Sequence, residues 1–233
     1  MINNLWVIMP VYNEEQSITH VINEWDSELK KSNVNYTICA INDGSKDNTL
    51  EILDEIHKTN KNLKIINKEN SGHGQTCVFG YKLAIENGAD WIFQIDSDGQ
   101  CDVSFLIKFL EGANLKTLNI FGNRKTREDG INRVIISKFV SIFTLVATGY
   151  WIKDGNVPYR LMNSGELTKI IDKIPKDFHL ANVLLTVLLK KESEIQWIPI
   201  HFKKRFAGNP SVKSFSFLKH GIKLFNQLKK AIK

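Results

Sequence analysis

Apolar runs and amphipathic runs alternate along the first half of the chain, and this alternation constrains the fold more than any other feature. Four short apolar runs are typical of strands: residues 5–9, 36–41, 63–66 and 91–95. Three runs with apolar positions at helical spacing lie between them: residues 14–31, 48–60 and 75–87. Strands and helices that alternate at this spacing form βαβ units with parallel strands. We therefore predict an α/β protein with a mainly parallel sheet flanked by helices.

The second half of the chain is less regular. Residues 103–110 are predicted to be helical, and residues 119–122 and 195–202 to be strands. Residues 134–152 are strongly apolar, with Lys138 as their single charge, and approach the ~20 residues that a transmembrane helix requires. Residues 134–152 are better interpreted as a helix in the membrane interface, or as an ordinary buried helix, than as a transmembrane helix. The reason is that serines and threonines interrupt the apolar sequence.

Composition is typical of a soluble globular protein, with 42% hydrophobic and 24% charged residues in a chain of 233. The three cysteines are scattered, and their odd number favours a reducing, cytoplasmic compartment over a disulfide framework. The N-terminus leads directly into a strand without a basic leader, so no signal peptide is predicted. This length suits one large α/β domain, alone or with a small appendage.

Positive charge is concentrated at the C-terminus. No acidic residue follows Glu194, whereas nine lysines and arginines do, so the remainder of the chain carries a net charge of about −3. Apolar residues recur there at helical spacing, at Leu218, Ile222, Phe225, Leu228 and Ile232. The pattern predicts a basic amphipathic helix that either lies on a membrane surface or packs on its own domain. Nucleic acid is not a predicted partner, because few aromatic residues are interleaved with the lysines.

Two carboxylates follow the strand predicted at residues 91–95. Asp96 and Asp98 are one residue apart, and the amide of Gln100 lies two residues further on. Because ligands bind at the carboxyl ends of strands in open α/β sheets, these oxygens are well placed for a site. They suit a hard divalent ion such as Mg²⁺ or Mn²⁺, although a solvated acidic turn gives the same pattern.

Three further motifs end predicted strands. They are Pro10-x-Tyr12-Asn13-Glu14-Glu15, Asn42-Asp43-Gly44-Ser45 and Asn70-x-Gly72. Together with Asp96-x-Asp98, over roughly residues 5–125, this order resembles glycosyltransferase family 2. The resemblance implies the Rossmann-like GT-A fold and inverting sugar transfer from a nucleotide-diphospho-sugar, based on UDP or GDP.

The resemblance also indicates which residues hold the nucleotide. Tyr12 offers an aromatic face near a base, and Asp43 can accept a hydrogen bond from an imide N–H such as that of uracil. Glycines allow the backbone to approach a ligand closely. The predicted nucleotide-binding residues are Pro10, Tyr12, Glu14, Asp43, Gly72, Asp96 and Ser97.

Gln100 makes the acidic motif resemble that of the polyprenyl-phosphate sugar synthases, which include the dolichol-phosphate mannose synthases. That resemblance implies metal binding by Asp96, Asp98 and Gln100, and a polyprenyl phosphate as the acceptor. Gly99 departs from the apolar residue that is usual there, so a glycan hydroxyl remains an alternative acceptor. The absence of a Gln-x-x-Arg-Trp motif disfavours synthesis of long polymers.

Two arginines are predicted to contact phosphates. Arg124 follows a predicted strand, and Arg205 opens the segment 205–211, which resembles a mobile loop of these synthases. The planar guanidinium can bind two phosphate oxygens at once. With Asp98 and Asp154, these arginines form the predicted catalytic set.

The acceptor is expected near residues 154–160 and 177–182. The resemblance places Tyr159, Arg160 and His179 in contact with it. A hydroxyl acceptor would also require a general base, for which Asp154, Asp177 and His179 are candidates. A phosphate acceptor is already anionic and needs none. His73 has no second histidine nearby in sequence, and we interpret it as a surface-loop residue without a role.

The predicted organisation is a GT-A domain at residues 1–212 and a basic helix at 213–233. Within the domain, residues 1–125 would bind the nucleotide-sugar and residues 126–212 the acceptor. The protein is expected to be cytoplasmic and peripheral on the inner face of the cell membrane. A haloacid-dehalogenase-type phosphatase fits poorly, because threonine would be needed at Gln100. A basic-tailed binding module without activity is the non-enzymatic alternative.

Overall fold

The computed structural model describes residues 2–114, 117–128, 130–178, 180–207 and 217–232. Its strands are β1 (Leu5–Val11), β2 (Tyr36–Asp43), β3 (Leu63–Lys68), β4 (Trp91–Ile95), β5 (Asn119–Arg127), β6 (Tyr159–Asn163) and β7 (Gln196–Phe202). Its α-helices are α1 (Ile18–Lys30), α2 (Thr49–Thr59), α3 (His73–Glu86), α4 (Leu106–Asn114), α5 (Ile131–Thr148), α6 (Ser164–Ile170), α7 (Ala181–Glu192) and α8 (Phe217–Ile232).

The described strands form one seven-stranded sheet in the order β3-β2-β1-β4-β6-β5-β7. Pairing is parallel except at β6, which runs antiparallel to both β4 and β5. The predicted α/β class with a mainly parallel sheet is therefore confirmed. Strands from both predicted halves of the domain share this sheet, so the halves are parts of one layer.

The parallel half forms where the sequence predicts it, because buried parallel strands are continuous apolar runs. Every residue of β1 and β4 is buried. Helix α3 packs so close to β1 that a Cβ at Gly80 would lie 2.5 Å from Ile8 Cγ2. This tight packing fixes the strand ends that carry the polar motifs.

Strand β6 and helices α6 and α7 of the second half escaped prediction. Strand β6 follows Pro158 and contains an arginine, and helix α7 is buried over most of its length rather than amphipathic. An aromatic cluster joins β6 to the first half: the ring centroid of Tyr159 lies 5.0 Å from that of Phe93 and 4.7 Å from that of Phe109.

Helix α5 contains most of the long apolar run and ends at Gly149, whose φ of 79° is left-handed. It packs against α8, where Leu224 and Leu228 are buried. In the described part of the chain, no helix has both the length and the apolar character needed to cross a bilayer. The interpretation of residues 134–152 as an ordinary buried helix is wrong, because one side of α5 exposes large apolar side chains.

Candidate active site

Polar side chains gather at the carboxyl ends of β1, β2 and β4. Tyr12 and Glu14 follow β1, Asp43 ends β2, and Asp96 and Asp98 follow β4. These strands are neighbours and parallel, so their ends meet at one edge of the sheet. The sequence prediction placed the motifs at this edge, and the structure brings them together.

The Asp43 carboxylate anchors the loop that enters α3. It accepts hydrogen bonds from the Lys68 ammonium, from the Ser71 N–H at 2.9 Å and from the Gly72 N–H at 3.0 Å. Burial alone would raise the pKa of Asp43, but the bonds from Lys68 and Ser71 outweigh it and hold that pKa below its usual value. Gly72 has a φ of 83°, which favours glycine. Asp43 is thus a fixed, anionic acceptor, as its predicted role requires.

Pro10 and Ser97 join the ends of β1 and β4. The Ser97 hydroxyl donates to the Pro10 carbonyl at 2.9 Å, and the Ser17 hydroxyl donates to the Ser97 carbonyl at 3.3 Å. Pro10 and Ser97 are both buried, whereas Tyr12 is 38% exposed beside them. Tyr12 is therefore the group here with a surface open to a nucleotide base.

Asp96 and Asp98 have opposite pKa shifts. Asp96 Oδ1 lies 2.8 Å from His73 Nε2 and accepts from Gln94 Nε2 at 3.1 Å. Burial acts to raise the pKa of Asp96, but the charges of His73 and Arg124 outweigh it, and that pKa lies below its usual value. Burial and the neighbouring Asp96 raise the pKa of Asp98 to about 6. Neighbouring cations therefore stabilise the ionised form of Asp96, whereas burial and the charge of Asp96 disfavour the ionised form of Asp98.

The donor set at this pair fits a hard divalent ion. Oxygens are the ligands that Mg²⁺ and Mn²⁺ prefer, and a cation would relieve the repulsion between the two carboxylates. Gln100 donates from Nε2 to the Lys203 carbonyl at 3.0 Å, so Oε1 is the side-chain atom suited to a metal. Next to Asp96, Oε1 of the buried Gln94 has no hydrogen-bond partner. Among the described residues, no three His, Cys, Asp or Glu side chains are grouped so that they could hold a metal ion.

Arg205 lies over this edge. Its guanidinium donates to Glu14 Oε1 and, at 3.4 Å, to Asp98 Oδ2. Phe206 donates its N–H to the Asp98 carbonyl at 3.2 Å, and its ring stacks on His20 with centroids 4.5 Å apart. The rest of the predicted loop, residues 208–211, lies outside the described residues.

Glu14 is buried and bonded to protein groups. Burial raises its pKa, although the Ser17 hydroxyl at 2.6 Å and Arg205 act in the opposite direction. Its contact with Arg205 places it at the predicted site. A direct contact between Glu14 and the nucleotide stays a prediction.

Arg124, on β5, and Asp154, which precedes β6, form a bidentate ion pair. Arg124 Nε and Nη2 each donate to one oxygen of Asp154 at 2.7 Å, and the guanidinium lies 5.0 Å from the centre of the Phe202 ring. Burial acts to raise the pKa of Asp154, but Arg124 outweighs it, and that pKa lies below its usual value. Asp154 is consequently a weak base. The geometry instead suits it to holding Arg124 in place.

The predicted contact of Tyr159 and Arg160 with the acceptor is wrong. Both side chains have no exposed surface. Tyr159 donates its hydroxyl to the Asp102 carbonyl at 3.0 Å, and Arg160 donates to the carbonyls of Gly155, Val157 and Asn182. The bonds of Arg160 join the segment 154–158 to α7, and the bond of Tyr159 joins β6 to residue 102, so the two residues support the site from inside. His179, the third predicted acceptor contact, lies outside the described residues.

Sequence analysis missed two residues that contact Asp96. His73 was interpreted as a surface-loop residue, yet it contacts Asp96 across 23 positions of sequence. Gln94 is a fully buried amide within an apolar strand, and this break in the pattern could have identified it. No local pattern marks His73, because its partner belongs to another strand end.

Comparisons with known proteins show similarity in sequence and in fold. An uncharacterized protein of Methanocaldococcus jannaschii is 30% identical over 81% of this chain and 83% of its own length. The UDP-N-acetylglucosamine–dolichyl-phosphate N-acetylglucosaminyltransferase of Methanococcus voltae is 27% identical over 84% of each chain. The fold is similar to that of glucosyl-3-phosphoglycerate synthase from Mycobacterium tuberculosis, solved with Mn²⁺, UDP and phosphoglyceric acid. The TM-score is 0.66 at 16% identity, over 99% of this chain and 77% of that one.

The model of the family described as glycosyl transferase family 2 matches residues 6–176. That range contains all four strand-end motifs and the Arg124–Asp154 pair. Because the match covers most of the chain and the described strands have the GT-A arrangement, this protein is a glycosyltransferase that belongs to family 2.

Proposed function

We propose that this enzyme transfers a sugar from a nucleotide-diphospho-sugar, based on UDP or GDP, to a polyprenyl phosphate. Transfer would proceed with inversion, on a protein bound peripherally to the cytoplasmic face of the cell membrane. One observation carries the proposal: an anionic, fixed Asp43 and the Asp96–Asp98 pair share one edge of the sheet. The name of the Methanococcus voltae relative, with a UDP-sugar and a dolichyl phosphate, supports it.

The donor would lie along this edge. Tyr12 would contact the base, and Asp43 would accept from its imide. Asp96, Asp98 and Gln100 would hold Mg²⁺ or Mn²⁺ beside the diphosphate. With a divalent ion bound, the site would gain the positive charge that stabilises a diphosphate as it leaves. Arg205 would add a cation on the same side after exchanging Glu14 and Asp98 for phosphate oxygens.

The state of Asp154 favours a phosphate acceptor. A sugar hydroxyl must lose a proton to a base, whereas a phosphate oxygen is already anionic and needs only alignment. Asp154, the best placed candidate base, is paired with Arg124 and has a lowered pKa. We infer that Asp154 positions Arg124 and that Arg124 attracts the acceptor phosphate.

Transfer to a glycan hydroxyl is the second candidate function. Asp177 favours this function, because its carboxylate is exposed and could accept the proton of a hydroxyl. It lies four residues before α7 in sequence. Replacing Asp177 with Asn would abolish transfer if Asp177 were the base, and would leave transfer to a lipid phosphate nearly unchanged.

A thermal-shift screen of UDP- and GDP-sugars, with and without Mn²⁺, tests the donor site. A donor at about 100 times its Kd stabilises the fold by about 2.7 kcal/mol. We expect Asp98→Asn to lose the Mn²⁺-dependent shift, because it removes charge from the metal site. Asp172→Asn is the matched control, since Asp172 is 85% exposed and pairs with Lys82, which is not a residue of the described site. If no donor raised the Tm, the donor assignment would be wrong.

Transfer of labelled sugar to a polyprenyl phosphate and to a glycan, each with the donor found in the screen, then tests the acceptor. We expect the lipid product to form at the higher rate. If label entered the glycan alone, the lipid-phosphate proposal would be overturned and the alternative would stand.

A further inference from the structure

Helix α5 has its polar side inward and its apolar side outward. Ser141 and Thr144 are buried against the domain, at 3% and 1% exposure. On the opposite side, Ile135, Ile142 and Val146 are 46–65% exposed. A surface helix of a protein surrounded by water has the reverse arrangement.

The inward hydroxyls are satisfied within the helix itself. Ser141 donates to the Ser137 carbonyl at 3.1 Å, Thr144 to the Val140 carbonyl at 2.7 Å, and Thr148 to the Thr144 carbonyl at 2.7 Å. Their burial therefore leaves no unpaired hydroxyl and no need for water. Since the polar side is stable inside, the exposed apolar side is part of the folded arrangement and not a sign of poor packing.

The exposed surface continues beyond α5. Helix α8 packs against α5 at Gly221, where a Cβ would lie 2.8 Å from Phe143 Cε2. We define the apolar face as the exposed large hydrophobic side chains of this region: Ile135, Phe139, Ile142, Leu145, Val146, Trp151 and Ile222. They are seven of the twelve such side chains in the described part of the chain, so they are concentrated in one region. Clusters of this kind mark sites of interaction.

The charged side chains on the two helices that form the apolar face are all basic. Neither α5 nor α8 contains an aspartate or a glutamate. Lys138 on α5 is exposed, and so are Lys223, Lys229 and Lys230 on α8. Apolar side chains combined with lysines match a bilayer that contains anionic lipids, and tryptophan favours the boundary between lipid and water.

A second copy of the chain fits this surface less well. A symmetric dimer would place the same face of each copy against the other. The lysines of both copies would then approach each other without any acid of α5 or α8 to pair with them. Like charges brought together in this way weaken association.

We propose that the apolar face docks on an anionic lipid bilayer, with α5 lying in the membrane interface and α8 beside it. This inference deepens the proposed function, on which it rests for the use of a lipid acceptor. The docked surface is also linked to the site, because Ser137 on the inner side of α5 donates to Asp154 Oδ1 at 3.4 Å. Docking would therefore bring the Arg124–Asp154 pair close to lipid headgroups.

Flotation with vesicles tests the proposal without any sugar donor. Vesicles of phosphatidylcholine alone are compared with vesicles that also contain phosphatidylglycerol. We expect binding to the mixed vesicles that weakens as salt is raised. The triple variant Phe139→Ser/Ile142→Ser/Val146→Ser should bind at least tenfold more weakly, because these side chains provide much of the buried apolar area.

A matched control variant replaces exposed hydrophobic residues elsewhere. Phe79, Ile107 and Leu118 are 36–39% exposed and lie outside α5 and α8. Their combined replacement by serine should leave vesicle binding unchanged. Equal thermal unfolding of both triple variants and the wild type would show that the folds are intact.

Tryptophan fluorescence measures directly whether the apolar face contacts the vesicles. Trp151 is 54% exposed, so its emission should shift to the blue on mixed vesicles. The shift should disappear in Trp151→Phe.

The proposal is overturned if the chain fails to float with mixed vesicles, or if the apolar-face variant floats as well as the wild type. Equal binding to pure phosphatidylcholine would overturn the assignment of anionic lipid. If sedimentation showed a dimer that the apolar-face variant dissociates, the occupant would be a second copy. Vesicle binding in a protein that no nucleotide-sugar stabilises would leave this inference standing and would refute the proposed function.

Discussion

Replacement of Arg124 by methionine measures what the Arg124–Asp154 pair contributes to the fold. The Asp154 side chain is 5% exposed and that of Arg124 10%, so both charges have left most of their water. Without the guanidinium, the Asp154 carboxylate would keep two weak bonds, from the Ser137 hydroxyl at 3.4 Å and from the backbone N–H of residue 124 at 3.5 Å. Removing one partner of a buried pair costs about 3–5 kcal/mol. We expect a loss of that size in the free energy of unfolding of Arg124→Met at pH 7.

Urea denaturation followed by tryptophan fluorescence measures this loss. Lys82→Met is the control, because the Lys82–Asp172 pair is exposed and should contribute less than about 1 kcal/mol. Asp154→Asn added to Arg124→Met should recover part of the loss by removing the stranded charge. The coupling between the two sites is expected in the range of about 0.5–3 kcal/mol.

The loss of unfolding free energy in Arg124→Met should also depend on pH. In the wild type the pKa of Asp154 is lowered, so its stabilising contribution is present at neutral pH and is lost as pH falls through that folded-state pKa. In Arg124→Met, burial without the cation would raise the pKa of Asp154 above its unfolded value of ~3.9, and the penalty would grow as pH rises above it. The difference between the two proteins must therefore shrink on acidification. A loss below about 1 kcal/mol at pH 7, or one independent of pH, would refute this account of the pair.

Two further variants test the packing and the ion pairs of the first half. Gly80→Ala should destabilise the protein by about 1–3 kcal/mol in thermal unfolding, because its Cβ would meet Ile8 at 2.5 Å; an unchanged Tm would contradict the tight packing. Asp26→Asn should cost about 1.5–3 kcal/mol at pH 7, because Asp26 accepts from Lys30 at 2.6 Å and from Tyr36 at 2.8 Å. The pKa of Asp26 is lowered because these bonds outweigh burial, so the difference from the wild type in urea denaturation should diminish from pH 7 toward pH 3.

The parallel half was predictable because its information is local. Each strand from β1 to β4 is an apolar run that ends at a polar or turn-forming residue, and the right-handed βαβ rule fixes how such runs assemble. Asp43, Asp96 and Asp98 could be placed at one edge without knowledge of any contact. Their sequence positions at strand ends were sufficient.

The acceptor side was less predictable because its contacts are not local. Arg160 was interpreted as an acceptor contact from the family resemblance, and its burial was not expected because arginine is rarely buried. Its burial depends on carbonyls of residues 155, 157 and 182, which converge only after β6 has inserted between β4 and β5. The contact of His73 with Asp96 was unpredictable for the same reason, because it joins residues that are distant in sequence. Neither the loop before α3 nor the end of β4 indicates this contact by its own sequence.

The hydropathy of α5 did not predict which side of the helix faces the domain. Its apolar content suggested either burial or a membrane, but the decisive feature is which side the hydroxyls occupy. Ser137 and Ser141 point inward, and Ser137 bonds to the carboxylate that holds Arg124. The same helix that exposes an apolar face to its surroundings therefore supports the cation expected to attract the acceptor. If α5 lies in the interface, a lipid phosphate reaches Arg124 from the headgroup layer without leaving the membrane. A soluble glycan would gain nothing from such an arrangement, so the orientation of α5 is consistent with a lipid phosphate as the acceptor.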